Sequence, residues 1–242
     1  MNVLSHRITF DKKLFFKRSH CPHCSGIISW YNNIPLFSWV FLKGKCKKCN
    51  KPISILYPFI ELFSGVVHTY LFFNEFTFDL HPRFVGSLNI AVGSFLSYFV
   101  FFSALICATR SDFERMVIPQ IFTLWLVPIG IFSAYLGLIK ILFYDSLFGA
   151  IFGYAFLWVV GKVFKFFTKK DGIGEGDMEL LALIGSFLGV FGMYFSLMIG
   201  SVIGLILGGV YLFIKNKNRN SKIPFGPFLV LGAIFYFFFI QI

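Results

Sequence analysis

From Tyr57 onward the chain is a succession of apolar runs separated by short polar or glycine-bearing breaks, whereas the first 54 residues mix basic, cysteine and aromatic positions without a long apolar stretch. A hydrocarbon core of about 30 Å takes roughly 20 helical residues to cross. Runs near that length lie at 56–73, 88–109, 119–139, 142–164, 178–194, 196–214 and 225–242, which predicts seven transmembrane helices. The connection around Tyr194 is very tight, so a different count or a re-entrant pair stays open there. The pattern therefore predicts an all-α polytopic membrane protein, with a polar head over residues 1–54 and a transmembrane domain over 55–242. Phe-rich stretches such as 235–239 read as lipid-facing filler.

Composition agrees with the pattern. The 242 residues are 57% hydrophobic and 14% charged, more apolar surface than a soluble domain of this length can hide. The net charge of +11 would suggest nucleic acid in a soluble protein, but the lysines and arginines fall in the gaps between apolar runs, as membrane topology requires. No nucleic-acid partner is expected; the lipid bilayer is. Residues 1–20 have no continuous apolar core, so no cleavable signal peptide is expected and targeting rests on the internal segments. With the head in the cytoplasm, all 22 basic residues except Arg83 and Lys140 lie on the cytoplasmic side, including Lys215, Lys217, Arg219 and Lys222. An even number of spans then separates Asp112 from Asp177 and places both at the cytoplasmic boundary.

These two aspartates are the candidate chemistry. Asp112 lies within 110–119, expected as a short loop, with Pro119 suited to the first turn of the next helix. Asp177 ends Gly174-Glu175-Gly176-Asp177 at the start of an apolar helix, where unpaired N–H groups favour an anion and the glycines permit close approach or positive φ. Taken alone, either is an ordinary cap or solvated loop residue. Brought together near a low-dielectric medium, two carboxylates share a proton, so one can act as base toward water while the other polarises a peptide carbonyl. That is aspartic-protease chemistry. Which aspartate holds the proton stays open.

The head contains Cys21-Pro22-His23-Cys24 and Cys46-Lys47-Lys48-Cys49, two C-x-x-C pairs with 21 residues between them. The spacing suits a four-thiolate zinc ribbon, whose metal bonds supply folding energy that a small polar head lacks. Disulfides are the alternative, disfavoured in a reducing cytoplasm. His20 and His23 are bystanders, because four cysteines complete a tetrahedron. Cys107, inside an apolar span, reads as a small buried hydrophobe. The aromatic stretch 30–39 is expected to pack on the metal core or to lie at the membrane interface.

Together these residues resemble the bacterial type IV prepilin peptidases, membrane aspartic proteases with a G-x-G-D motif. The resemblance rests on Ser19 to Cys24, Asn33-Ile34-Pro35, the second cysteine pair, Tyr57 to Leu62, Asp112 with Pro119, Gly174 to Asp177, and Ile223 to Phe228. It implies cleavage of the basic leader of type IV prepilins or pseudopilins at the cytoplasmic face of the bacterial inner membrane. It also implies methylation of the new N-terminus from S-adenosyl-L-methionine, with Asp112 and Asp177 as catalytic residues. Cys21, Cys24, Cys46 and Cys49 become structural zinc ligands in a methyltransferase-associated head.

Some positions depart from that family's pattern. Residues 1–7 look like the end of a hydrophobic helix that family members usually carry ahead of the head. Glu114, Gln120, Glu179 and Asn32 replace more usual residues, and Glu179 adds negative charge beside Asp177. Glu61, about one turn into the first span, is as suited to a structural role as to catalysis. The 224–227 segment reads as scaffold near the site. A peptidase without methyl transfer and a non-catalytic zinc-ribbon scaffold of a pilus or secretion machine are the alternatives. The presence of both aspartates argues against the scaffold.

Overall fold

The computed structural model describes residue 8, residues 19–77 apart from Pro22, and residues 88–170, 172–214 and 224–241. Residues 1–7, Pro22, Arg83, the basic run containing Lys215, Lys217, Arg219 and Lys222, and Ile223 lie outside the described residues.

The head is built twice from one local pattern. Cys21 N donates to the Gly26 carbonyl and Ser25 N to that of Cys21; Cys46 N donates to Lys51 and Asn50 N to Cys46 in the same way. Each loop is closed by one antiparallel bridge, His20 to Ile27 and Lys45 to Pro52. In each, the residue after the second cysteine takes a left-handed conformation, Ser25 at φ 53° and Asn50 at φ 55°. Between the loops run a 3-10 turn, Trp30–Asn33, and a short helix α1, Phe37–Phe41. Trp39 donates its indole N–H to the Ile53 carbonyl at 3.2 Å, so this part of the aromatic stretch packs within the head. Phe37, Val40 and Phe41 stay exposed.

The remaining helices are α2 Leu56–Thr77, α3 Leu88–Arg115, α4 Val127–Tyr135, α5 Phe143–Thr168, α6 Glu175–Ile214 and α7 Gly226–Tyr236, the last running on into a wider π-type turn, Phe237–Gln241. Four helices among the described residues, α2, α3, α5 and α6, are long and apolar enough to cross a membrane; the segments Gln120–Tyr135 and Gly226–Gln241 are shorter. The described residues are all-helical apart from isolated bridges and turns, as expected, but three details of the seven-span expectation differ.

First, 119–139 is not one helix. Two 3-10 turns, Gln120–Phe122 and Leu124–Leu126, precede α4, with Thr123 between them at φ −129°, ψ −88°. Pro119 is extended and caps the first turn instead of opening an α-helix. Second, α3 continues six residues beyond the expected end at 109, so Asp112 sits on a helix and not in a loop; left-handed Met116, at φ 54°, ends it. Third, the break expected near Tyr194 falls at Gly189, with φ 74° and ψ −175°, a conformation essentially restricted to glycine.

Gly189 folds α6 back on itself. Along the first leg, Gly149 of α5 approaches Gly185 and Gly153 approaches Leu181, so 175–188 runs antiparallel to α5. Along the second, Tyr236 lies against Gly192, Gly232 against Ser196, and Phe228 against Gly200, so this leg returns antiparallel to α7. Small residues at these crossings let the backbones approach closely. Asp145, in the first turn of α5, accepts the Val190 N–H at 3.0 Å and caps the second leg.

The first leg is the centre of the bundle. Leu180, Leu181, Leu183, Ile184, Phe187 and Leu188 are essentially fully buried, the pattern of a helix surrounded on all sides. Phe187 stacks on Phe101 of α3 with ring centroids 4.7 Å apart. Cys107 is buried in α3, as expected of a small hydrophobe. The terminal phenylalanines are not all filler: Phe235 and Phe239 face outward, but Phe237 is buried against Tyr98 and Phe102.

Candidate functional site

Asp112 occupies the last full turn of α3 and is only 6% exposed. Its helix ends in a tight return: Met116 N donates to the Asp112 carbonyl, and the Ser111 hydroxyl donates to the Val117 carbonyl at 2.7 Å. The Asp112 carboxylate Oδ2 accepts the backbone N–H of Gly226 at 3.0 Å. Gly226 is the first residue of α7, where N–H groups have no partner within their own helix. A carboxylate at the end of one helix thus satisfies the start of another, 114 positions on.

Asp177 lies in the first turn of α6, half-buried, with its N–H donated to the Gly174 carbonyl at 3.2 Å. Its carboxylate Oδ2 hangs beside Gly174, where a Cβ would stand only 3.3 Å from it. Neither Gly174 nor Gly176 needs positive φ; Gly176 serves close approach, since a Cβ there would meet Ile118 Cβ at 2.9 Å. The same Ile118 abuts Gly226, where a Cβ would meet Ile118 Cδ1 at 2.9 Å. One isoleucine is therefore wedged between the glycine preceding Asp177 and the glycine that binds Asp112. The two carboxyls are close enough for the charge of one to act on the other. Together they offer a buried carboxylate held by one backbone donor and a more accessible one beside glycine-bounded space.

Glu179, two residues further along α6, is buried and takes a donor on each oxygen: Gln120 Nε2 at 2.8 Å and Thr123 Oγ1 at 2.9 Å. Sequence reasoning marked its extra charge but missed these partners, because they lie in the segment read as a continuous helix. The Gly226 donor was missed as well; its signal was a glycine directly before Pro227 at a helix start. Glu61 accepts the backbone N–H of Leu36 at 3.1 Å and so fastens the head to the first turns of α2. Arg110 is buried over the Tyr57 ring and pairs with Glu114, which places Glu114 on the outer side of the α3 terminus.

In the head, the sulfurs of Cys21, Cys24, Cys46 and Cys49 all lie within 4.8 Å of one another, with Cys21 and Cys49 at 3.9 Å. All four cysteines are free thiols in this structure. Tetrahedral zinc with bonds of about 2.3 Å sets its sulfurs roughly 3.8 Å apart, and the cluster fits such an ion. Neither His20 nor His23 belongs to it. Backbone N–H groups of Cys49 and Lys48 hold the Cys46 thiol below the ordinary thiol value, while burial and the three neighbouring sulfurs push that of Cys49 above it.

Comparison with known proteins agrees with this arrangement. Residues 1–75 match the bacterial peptidase A24 N-terminal domain, and residues 99–209 match the type IV leader peptidase family. A prepilin leader peptidase/N-methyltransferase of Stutzerimonas stutzeri is 34% identical over 91% of this chain and 71% of its own length. Enzymes of the same name from Xanthomonas campestris pv. campestris, at 34% over the same shares, and from Legionella pneumophila, at 33% over 93% of this chain and 73% of the relative, are similar to it too. No solved structure matches. Both matched regions contain one of the two sites described above, and the similarity runs through nearly the whole chain: it is a membrane protein of the type IV leader peptidase family.

Proposed function

We propose that this chain cleaves the basic leader peptide from type IV prepilins or pseudopilins and methylates the amine that cleavage exposes. Asp112 and Asp177 are the catalytic pair. The ionised member takes a proton from water as its oxygen attacks the scissile carbonyl. The protonated member donates to the carbonyl oxygen, and collapse of the tetrahedral adduct sends a proton to the departing amine. The observation that carries this reading is the convergence of four separate segments on the two acids: the α3 terminus, Ile118, Gly174 to Asp177, and Gly226.

Counting α2, α3, the 120–135 segment, α5, both legs of α6 and α7 gives seven membrane segments. Two of them lie between the aspartates, which accords with one shared face. The placing of basic residues supports the cytoplasmic face of the inner membrane. Residues 1–54 form the methyltransferase-associated head and 55–242 the peptidase domain. Zinc at Cys21, Cys24, Cys46 and Cys49 crosslinks the head, and S-adenosyl-L-methionine is the co-substrate that supplies the methyl group.

The test is processing of a prepilin in membranes by the wild type, Asp112→Ala and Asp177→Ala. Each variant is expected to lose at least about 100-fold in cleavage rate, the usual contribution of a positioned acid or base. Wild-type processing by either one refutes the pair.

A further inference from the structure

We propose that Glu179 is a positioning residue for cleavage, acting through the loop that leaves Asp112; this rests on the peptidase reading above. The carboxylate is 5% exposed and has no cation among its hydrogen-bond partners. It accepts instead from two neutral groups, Gln120 Nε2 and Thr123 Oγ1, and Thr123 is fully buried. Burying a carboxylate against neutral donors alone is costly. The two bonds hold the irregular stretch between α3 and α4 in place, including the Thr123 conformation that ordinary helix would not adopt.

The chain of contacts from there to both acids is short. Gln120 follows Pro119 and Ile118, and Ile118 is the side chain lodged between Gly176 and Gly226. Gly176 precedes Asp177, and the Gly226 N–H holds Asp112. Glu179 itself stands two residues after Asp177 on the same rigid helix. One carboxylate thus couples the loop leaving Asp112 to the helix carrying Asp177. Fixing that loop fixes the seat of Ile118, and with it the relation between the two acids. A displacement of the order of 1 Å in such a pair costs about 100-fold in rate.

The mechanism needs the geometry of the acceptors and not the charge. In Glu179→Gln the amide oxygen still accepts from Thr123, while its NH2 faces Gln120, whose own amide turns to present oxygen; both bonds persist. In Glu179→Ala both are lost and two buried donors are stranded.

The experiment compares purified wild type, Glu179→Ala, Glu179→Gln and Gln120→Ala. It measures prepilin cleavage per folded, monodisperse enzyme and amide hydrogen exchange over residues 116–123. The proposal expects Glu179→Ala to lose about 10- to 100-fold in kcat with KM within about threefold, and faster exchange in the loop. Gln120→Ala, which removes one bond and leaves Glu179 in place, is expected to fall between, and Glu179→Gln to restore both readouts. Wild-type kcat in Glu179→Ala, equal damage in Glu179→Gln, or unchanged loop exchange in Glu179→Ala overturns it. Should the wild type itself leave prepilin uncut, the peptidase reading fails, and the loop coupling is then decided by exchange alone.

Discussion

The two sites of this protein are assembled in opposite ways. The four sulfurs of the head come from two short loops, each closed by its own backbone hydrogen bonds and each repeating the other's left-handed turn. Nothing beyond about 30 residues of chain is needed to bring them together. Asp112 and Asp177 are 65 positions apart and come to one level only because the 120–135 segment and α5 return the chain to it. The head's four cysteines are placed to draw stability from a metal; the aspartates borrow their geometry from a bundle core. Damage to one site should therefore leave the other largely intact.

The sharpest way to break that contrast is to remove the metal. Structural zinc in small domains contributes about 10–16 kcal/mol, far more than the few buried side chains of this head can replace. Cys46→Ser, or a strong chelator, is expected to abolish methyl transfer from labelled S-adenosyl-L-methionine and to open the head to protease. Leader cleavage should stay within about threefold, because among the described residues the partners of Asp112 and Asp177 are Gly226, Gly174 and each other, none of them in the head. Equal loss of cleavage, read by mass spectrometry of the processed prepilin, would show that the two regions act as one.

The reverse damage comes from the bundle. A Cβ at Gly185 would lie 2.1 Å from the Gly149 carbonyl oxygen, and backbone cannot yield as a side-chain tip can. Gly185→Val is expected to cost about 3 kcal/mol or more by overpacking. A large fall in thermal stability in detergent and loss of cleavage should follow, while the zinc content of the head stays at one ion per chain. Zinc lost in step with cleavage would break the comparison.

The same contrast governs what could be read from sequence. C-x-x-C pairs state their geometry directly, because two residues between ligands fix a loop whatever surrounds it. The aspartates were reached through the parity of apolar runs, which survives errors in the runs themselves. Asp112 proved to be helical and 119–139 proved broken, yet the return of the chain to one level was correct. What could not be read were contacts set by tertiary packing: the Gly226 N–H on Asp112, and Gln120 and Thr123 on Glu179. Hydropathy marks residues 119–139 as apolar but is blind to a buried carboxylate from another helix that holds part of the segment in 3-10 turns. The hairpin at Gly189 was misplaced by five residues for a similar reason, since Asp145 lies 44 positions earlier in the chain.

That hairpin offers the finest test of how separable the parts are. Gly189 has no room for a side chain, since a Cβ would fall 2.1 Å from Asp145 Oδ2, and its φ of 74° with ψ near 180° penalises any L-residue by about 1–3 kcal/mol. Asp145→Ala is gentler: it leaves the backbone alone and removes only the cap on Val190, which typically costs about 1 kcal/mol. Asp145→Asn keeps an oxygen for that N–H and should cost less still. Because Asp145 and Gly189 lie at the end of the first leg away from Asp177, Asp145→Ala should lower the unfolding temperature in detergent by a few degrees and leave kcat per folded enzyme unchanged. A fall in kcat without a fall in stability would mean that the turn, like Glu179, sets the position of the helix carrying Asp177, and that the bundle is a lever and not only a scaffold.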